Sequence, residues 1–361
     1  MKYDFLIVGA GLSGITAANL LADLNKKVLI IDKRNHIGGN CYDYKNEHGI
    51  IVQKYGPHIF HTNNKEIWNY LNKFTEFNNY EHRVIAKVKG IEVYLPINIE
   101  TMEKLYNRTF NEKSMKEFLD KVKIDIREIK NSKDFALSKI GKELYELFFK
   151  NYTKKQWGVY PEELGTEVLK RIPLRFNRDT RYFSDKYQGI PKNGYYKMFE
   201  KMINNKNIEV ILNKDYREVI NEIKFNKMIY TGAIDDFFDY KFGKLEYRSL
   251  RFEFKTYDFE YFQNAAVVNY PNDFKYTRIT EFKRFYFQKN NKTTICYEYP
   301  MSKGEPYYPI PNKRNSELKM KYINETKNLK SIYFAGRLGL YEYINMDMAV
   351  KKVFELAIFK N

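Results

Sequence analysis

The chain has 361 residues, 43% of them hydrophobic, and 62 Lys and Arg stand against 45 Asp and Glu, a net charge of +17. That length exceeds one ordinary core and predicts two or three domains; the charge favours anionic partners, although the lysines are scattered and a chain-wide lean toward Lys and Asn accounts for it equally well. No apolar run approaches the ~20 residues that span a bilayer, no signal peptide is expected, and Cys41 and Cys296 lie outside any C-x-x-C or metal-ligand spacing, so a membrane span, a disulfide framework and a metal site are excluded and reduced thiols in a cytoplasmic protein are expected.

The run Phe5-Leu6-Ile7-Val8 reads as a strand buried in a parallel sheet. Gly9-Ala10-Gly11-Leu12-Ser13-Gly14 follows directly and fits G-x-G-x-x-G. Ile15, Ala18, Leu21 and Ala22 repeat at helical spacing, and Val28 to Ile31 is a second buried strand ending at Asp32. Each part has a physical task. Gly9 permits a tight turn, Gly11 lets a pyrophosphate approach the backbone, and Gly14 lets the helix pack close to the strand. The helix N-terminus offers N–H groups and a positive dipole end. Asp32 can accept hydrogen bonds from an adenosine ribose and would repel a 2′-phosphate. A ligand-free helix-start turn is the bland alternative; the strand–turn–helix–strand–acid context weighs against it.

Gly38-Gly39-Asn40 then resembles the second glycine-rich turn of two-dinucleotide-binding-domain flavoproteins. In Tyr55-Gly56-Pro57-His58-Ile59-Phe60-His61-Thr62 a rigid Gly-Pro turn presents two histidines, able to face a cofactor and a substrate, or merely structural. From Asn98 to Leu169 apolar positions recur at helical spacing, a helical insertion in which Tyr152 and Trp157 could form a slot for a flat heterocycle or pack in the core. Arg171, Arg175, Arg178 and Arg181 follow in a polar stretch that reads as a mobile anion-binding loop or a solvated surface loop. A helix around Met198, Phe199, Met202 and Ile203 leads into strands at Ile208 to Leu212 and at Lys227 to Gly232, the latter ending in Thr231-Gly232. Residues 247–300 alternate as antiparallel strands. Ile332 to Phe334 is a last buried strand before Gly336-Arg337 and a helix from Met346, so both chain ends build one nucleotide domain.

The glycine turns, the histidine turn, Tyr152-Thr153-Lys154-Lys155-Gln156-Trp157-Gly158, Tyr276-Thr277-Arg278, Tyr307-Tyr308-Pro309 and Phe334-Ala335-Gly336-Arg337-Leu338-Gly339 occur in the order found in bacterial UDP-galactopyranose mutases. The chain resembles that family over essentially its whole length. The expected fold is α/β: a discontinuous Rossmann-like FAD-binding domain (residues 1–81, 190–236 and 321–361), a helical substrate domain (98–168) and an antiparallel sheet domain (82–97, 169–189 and 237–320). The resemblance implies interconversion of UDP-galactopyranose and UDP-galactofuranose without net redox, reduced FAD attacking the anomeric carbon. It implies an external reductant such as NAD(P)H, a homodimer, and no nucleic-acid or membrane partner.

The resemblance also assigns residues. Phe148, Phe149, Tyr152, Thr153 and Trp157 belong to the uridine site. Arg171 reaches the diphosphate, with Arg248 and Arg278 as further candidates, and Tyr182, Tyr308 and Tyr343 donate to it. Asn269 and His61 lie where sugar and flavin meet; Arg171, Arg278 and His61 are the catalytic candidates. FAD contacts fall on Gly9, Gly11, Leu12, Ser13, Gly14, Asp32, Lys33, Gly39, Asn40, His58, Ile59, Thr231, Gly232, Arg337, Asn345 and Met346. Asn345-Met346-Asp347 stands where the family often has Asp-Met-Asp, and His82 where some members have Asn; both are candidate specificity positions. A mutase for UDP-N-acetylgalactopyranose is the nearest alternative, an FAD-dependent amine oxidase or desaturase a more distant one, and a nucleic-acid-binding protein rests on charge alone.

Overall fold

A computed structural model describes residues 2–170 and 174–359. The first apolar run becomes the middle of a five-stranded parallel sheet, ordered Ile332–Phe334, Lys224–Tyr230, Lys2–Val8, Val28–Ile31 and Ile208–Ile211. Strands from three distant parts of the chain thus share one sheet. Val28–Ile31 is buried at every position, as a parallel strand covered on both faces must be. Helix Leu12–Asp23 is buried almost all round, and Ala17, Ala18 and Ala22 let it sit close beneath the helices Tyr195–Ile203 and Met346–Phe354.

The second sheet has seven strands, ordered Tyr308–Pro309, Tyr247–Tyr257, Thr293–Met301, Arg278–Glu281, Val267–Asn269, Val84–Val88 and Ile91–Leu95. It is antiparallel as expected except where Val267–Asn269 runs parallel to Val84–Val88. One rung of this sheet reads Ala86, Asn269, Arg278, Glu298 and Phe252 across successive strands. Strand register therefore sets an amide, a guanidinium and a carboxylate side by side.

Between Asn98 and Trp157 the chain is mostly helical, with connections at 107–111 and 123–131. Asn98, Asn111 and Asn131 each start a helix by accepting the N–H of the residue three further on: Thr101, Ser114 and Asp134. Helix Ser132–Tyr145 is broken at Gly141, where φ is 73° and a Cβ would lie 2.3 Å from the Val122 carbonyl oxygen. A π-helical turn at Glu146–Lys150 then leads into helix Asn151–Trp157. Such turns widen the spacing of side chains and recur at binding sites. Among the described residues, no helix is long and apolar enough to cross a membrane.

Candidate active site

Two cavities adjoin. The first lies over the carboxyl ends of the parallel strands. It is lined by Gly9, Gly11, Leu12, Ser13, Asp32, Lys33, Gly39, Asn40, Thr231 and Gly232. Helix Leu12–Asp23 begins at Gly11 without a side-chain cap, so its N–H groups are open to a ligand. The two glycine turns rest on each other: Gly38 N–H donates to the Ala10 carbonyl at 2.7 Å, and a Cβ on Gly39 would come within 2.8 Å of Gly11 Cα. Asp32 braces this arrangement, accepting the Ala10 N–H at 2.7 Å and the Arg34 N–H at 2.8 Å. Gly14 lies behind the cavity, against the carbonyl of Gly9. This cradle fits an adenine dinucleotide: open helix N–H groups for the pyrophosphate and a carboxylate for the ribose. Two residues not anticipated also shape it. Arg34 lies over the Tyr55 ring at 4.4 Å, and Glu305 pairs with Lys33 at 3.0 Å across the cavity mouth.

The second cavity lies between the helical insert and the seven-stranded sheet. Phe148, Phe149, Tyr152, Thr153, Trp157, Tyr182, Asn269, Arg278, Tyr308, Tyr343, Ile59 and His61 all line it. Trp157 meets Tyr343 edge-on at 5.2 Å. Arg278 donates through Nε and Nη2 to Glu298 Oε2, both at 2.9 Å, and Glu298 is 1% exposed. Burial opposes the Arg278 charge, yet Glu298 holds its pKa above the ordinary arginine range. Two residues lining this cavity carry a buried acceptor with no hydrogen-bond partner: Gln156 Oε1 and Asn269 Oδ1. Unpaired buried oxygens are costly, so they mark places where a ligand donor belongs. The two cavities share His58, Arg337, Asn345 and Met346. His58 Nδ1 lies 2.9 Å from the Gly56 carbonyl; burial first, then Arg337 and Arg278, push its pKa down to about 4, so the ring at the junction is neutral.

Several expectations are corrected. Arg248 does not line the substrate cavity. Its Nε and Nη2 donate to the carbonyls of Gln156 and Lys155, so it closes the end of helix Asn151–Trp157 from behind. The arginine-rich stretch is no free anion clamp over its described part. Arg178 makes a two-pronged pair with Glu103, both contacts at 2.8 Å. Arg181 grips Asp179, and Arg175 is buried against the Asp179 and Arg181 carbonyls. Arg171 lies outside the described residues. Sequence reasoning missed Gln156, Glu298, Phe183 and Asp185 as individual site residues; the Gln-Trp-Gly element held a local signal for Gln156, and the other three emerge only from long-range pairing.

Residues 147–343 match the family model described as UDP-galactopyranose mutase, and residues 7–74 match that of an NAD(P)-binding Rossmann-like domain. The chain belongs to the UDP-galactopyranose mutase family. It is 42% identical to a probable UDP-galactopyranose mutase of Klebsiella pneumoniae, covering 98% of this chain and 94% of that one. It is 41% identical to a dTDP-fucopyranose mutase of Escherichia coli, covering 98% and 97%. The UDP-galactopyranose mutase of Mycoplasma genitalium is 37% identical, over 97% and 92% of the two chains. A crystal structure of reduced UDP-galactopyranose mutase matches with a TM-score of 0.80 at 16% identity, over 100% of this chain and 95% of that one, and so shares the fold. A bovine flavin-containing amine oxidase A is 33% identical over 24% of this chain. The chain is an enzyme, and like its UDP-galactopyranose mutase relatives an isomerase.

The floor of the mutase's substrate cavity has a pH signature. His82 is 4% exposed, with Nδ1 3.1 Å from the Tyr80 hydroxyl; burial first, then the charge of Arg278, pushes its pKa from 6.5 down to about 3. The unfolded chain takes up that proton near pH 6.5 and the folded chain does not, so stability is full above 6.5 and falls as pH drops toward 3. Between pH 7 and pH 5 this group removes roughly 2 kcal/mol. Urea midpoints at the two pH values check it: the acid-induced fall is smaller by that amount in His82→Asn, and an identical fall in both proteins contradicts the assignment.

Proposed function

We propose that this mutase interconverts UDP-galactopyranose and UDP-galactofuranose and that the dinucleotide cradle holds FAD. The observation that supports it best is the junction: one dinucleotide-shaped cavity and one aromatic, arginine-bearing cavity meet at His58, Arg337, Asn345 and Met346. When bound there in its reduced form, kept reduced by a donor such as NAD(P)H, a flavin supplies a nucleophilic ring nitrogen to the anomeric carbon without net redox.

This chain's residues do the rest. Tyr152, Phe148, Phe149 and Trp157 sandwich the base, and Gln156 Oε1 accepts from its imide N–H. Arg278 and the hydroxyls of Tyr182, Tyr308 and Tyr343 hold the diphosphate, with Arg171 in the role the family resemblance gives it. Charge grows on the diphosphate as the glycosidic bond breaks, so donors aimed at it act on the transition state. Asn269 and His61 meet the sugar.

The 41% identity to a dTDP-fucopyranose mutase gives a second reading, a 6-deoxy sugar on a thymidine carrier. A UDP-N-acetyl sugar is a third. Incubating dithionite-reduced, FAD-loaded protein with UDP-galactofuranose, dTDP-fucofuranose and UDP-N-acetylgalactofuranose in parallel decides among them. Conversion of the first to its pyranose, resolved by chromatography, is the expected result; conversion of only another substrate, or of none, refutes the proposal.

A further inference from the structure

His61 is held by a chain of hydrogen bonds whose direction can be read. It lies on strand Phe60–Thr62, opposite Gln188 of the antiparallel strand Tyr187–Gly189. Its ring stacks on Phe183, centroids 3.6 Å apart and planes 11° apart, and its Nδ1 lies 2.7 Å from Asp185 Oδ2. Asp185 Oδ1 accepts from Asn63 Nδ2 at 2.8 Å. Asn63 Oδ1 accepts the backbone N–H of Lys186, also at 2.8 Å. The turn bearing Phe183 and Asp185 is closed by Gln188, whose Nε2 donates to both of their carbonyls, at 3.2 and 2.9 Å.

These groups leave no choice of direction. A backbone N–H can only donate, so Asn63 turns its oxygen to Lys186 and its amino group to Asp185. A carboxylate can only accept, so the proton between Asp185 and His61 sits on Nδ1. Nε2 has no hydrogen-bond partner among the described residues, while His61 and Asp185 both line the substrate cavity. The neighbouring His82 is engaged elsewhere, with the Tyr80 hydroxyl.

We propose that Asn63 and Asp185 are positioning residues that fix His61 as its Nδ1–H tautomer, so that Nε2 stands in the cavity as the acceptor for a sugar hydroxyl. The identity of that hydroxyl-bearing ligand rests on the mutase reading; the tautomer does not.

The test reads the ring directly, by nitrogen-15 NMR of histidine-labelled, FAD-loaded protein, with His61→Gln to assign the signal. The wild type shows Nδ1 protonated. In Asp185→Asn, Asn63 still demands an acceptor, so the new amide turns its oxygen to Asn63 and its amino group to Nδ1. The proton moves to Nε2, and kcat toward UDP-galactofuranose falls about a hundredfold while KM changes less than about threefold. Adding Asn63→Asp reverses this. A carboxylate at 63 accepts from both Lys186 and the new amide, whose oxygen then faces His61, so the Nδ1–H tautomer and most of kcat return. A wild-type ring protonated on Nε2, an Asp185→Asn enzyme that keeps its tautomer or its kcat, or a double variant that regains neither overturns the proposal. Absence of wild-type turnover overturns the proposed function alone, because the ring is read without substrate.

Discussion

Arg278→Ala is expected to lower kcat by about 10² to 10³ while the protein also loses roughly 3–5 kcal/mol of stability. The two losses have different causes. Arg278 is the described guanidinium on the sheet face of the substrate cavity that also meets a buried carboxylate. Removing it takes charge away from a leaving diphosphate, and it strands Glu298, which is 1% exposed and already has Oε1 without a partner. Adding Glu298→Gln to Arg278→Ala therefore restores most of the stability, since a neutral amide is far cheaper to bury than an unpaired charge, and restores none of the turnover. Urea melts and steady-state rates on the single and double variants separate the effects. A double variant that regains kcat together with stability would show that Arg278 only props up the sheet.

What could be read from the sequence was local chemistry. The Gly9 to Gly14 turn and Asp32 at a strand end each carry their reason within a few residues. The histidine turn placed His58 at the junction of the cavities and His61 inside one of them. What failed was partner choice. Four arginines in eleven residues read as an anion-binding loop or a solvated surface loop, and of these Arg175, Arg178 and Arg181 lie within the described residues. Yet Asp179 lies inside the same stretch and Glu103 lies 75 residues away, and both absorb arginines. Arg248 and Arg278 look alike in sequence; only strand register puts one beside Asn269 in the cavity and the other behind a helix end. Glu298 and Asp185 were invisible for the same reason, since each acts on a residue 20 or 124 positions distant. Long-range pairing, which no local pattern encodes, decides which charges are free to meet a ligand.

The glycine fingerprint makes the sharpest separation of folding from binding. A Cβ on Gly14 would lie 2.0 Å from the Gly9 carbonyl oxygen and 3.2 Å from Ile7 Cγ2. Neither atom is the end of a flexible side chain, so in Gly14→Ala helix Leu12–Asp23 must lift from its strand, at a cost of about 3 kcal/mol. Its N–H groups then leave the cradle, and the FAD proposed to bind there is expected to be lost as well. Gly11 differs. Its φ is −82°, which any residue adopts, and a Cβ there meets only Gly39 Cα, at 3.8 Å. The protein itself has room for that methyl group; a pyrophosphate against the backbone does not. Gly11→Ala apoprotein should melt within about 1.5 °C of the wild type, a change of no more than about 1 kcal/mol, while FAD binds at least about tenfold more weakly by flavin-fluorescence titration. Gly14→Ala should fail both measurements. If Gly11→Ala instead binds FAD with wild-type affinity, the pyrophosphate does not pass over Gly11 and the cradle has been assigned to the wrong group.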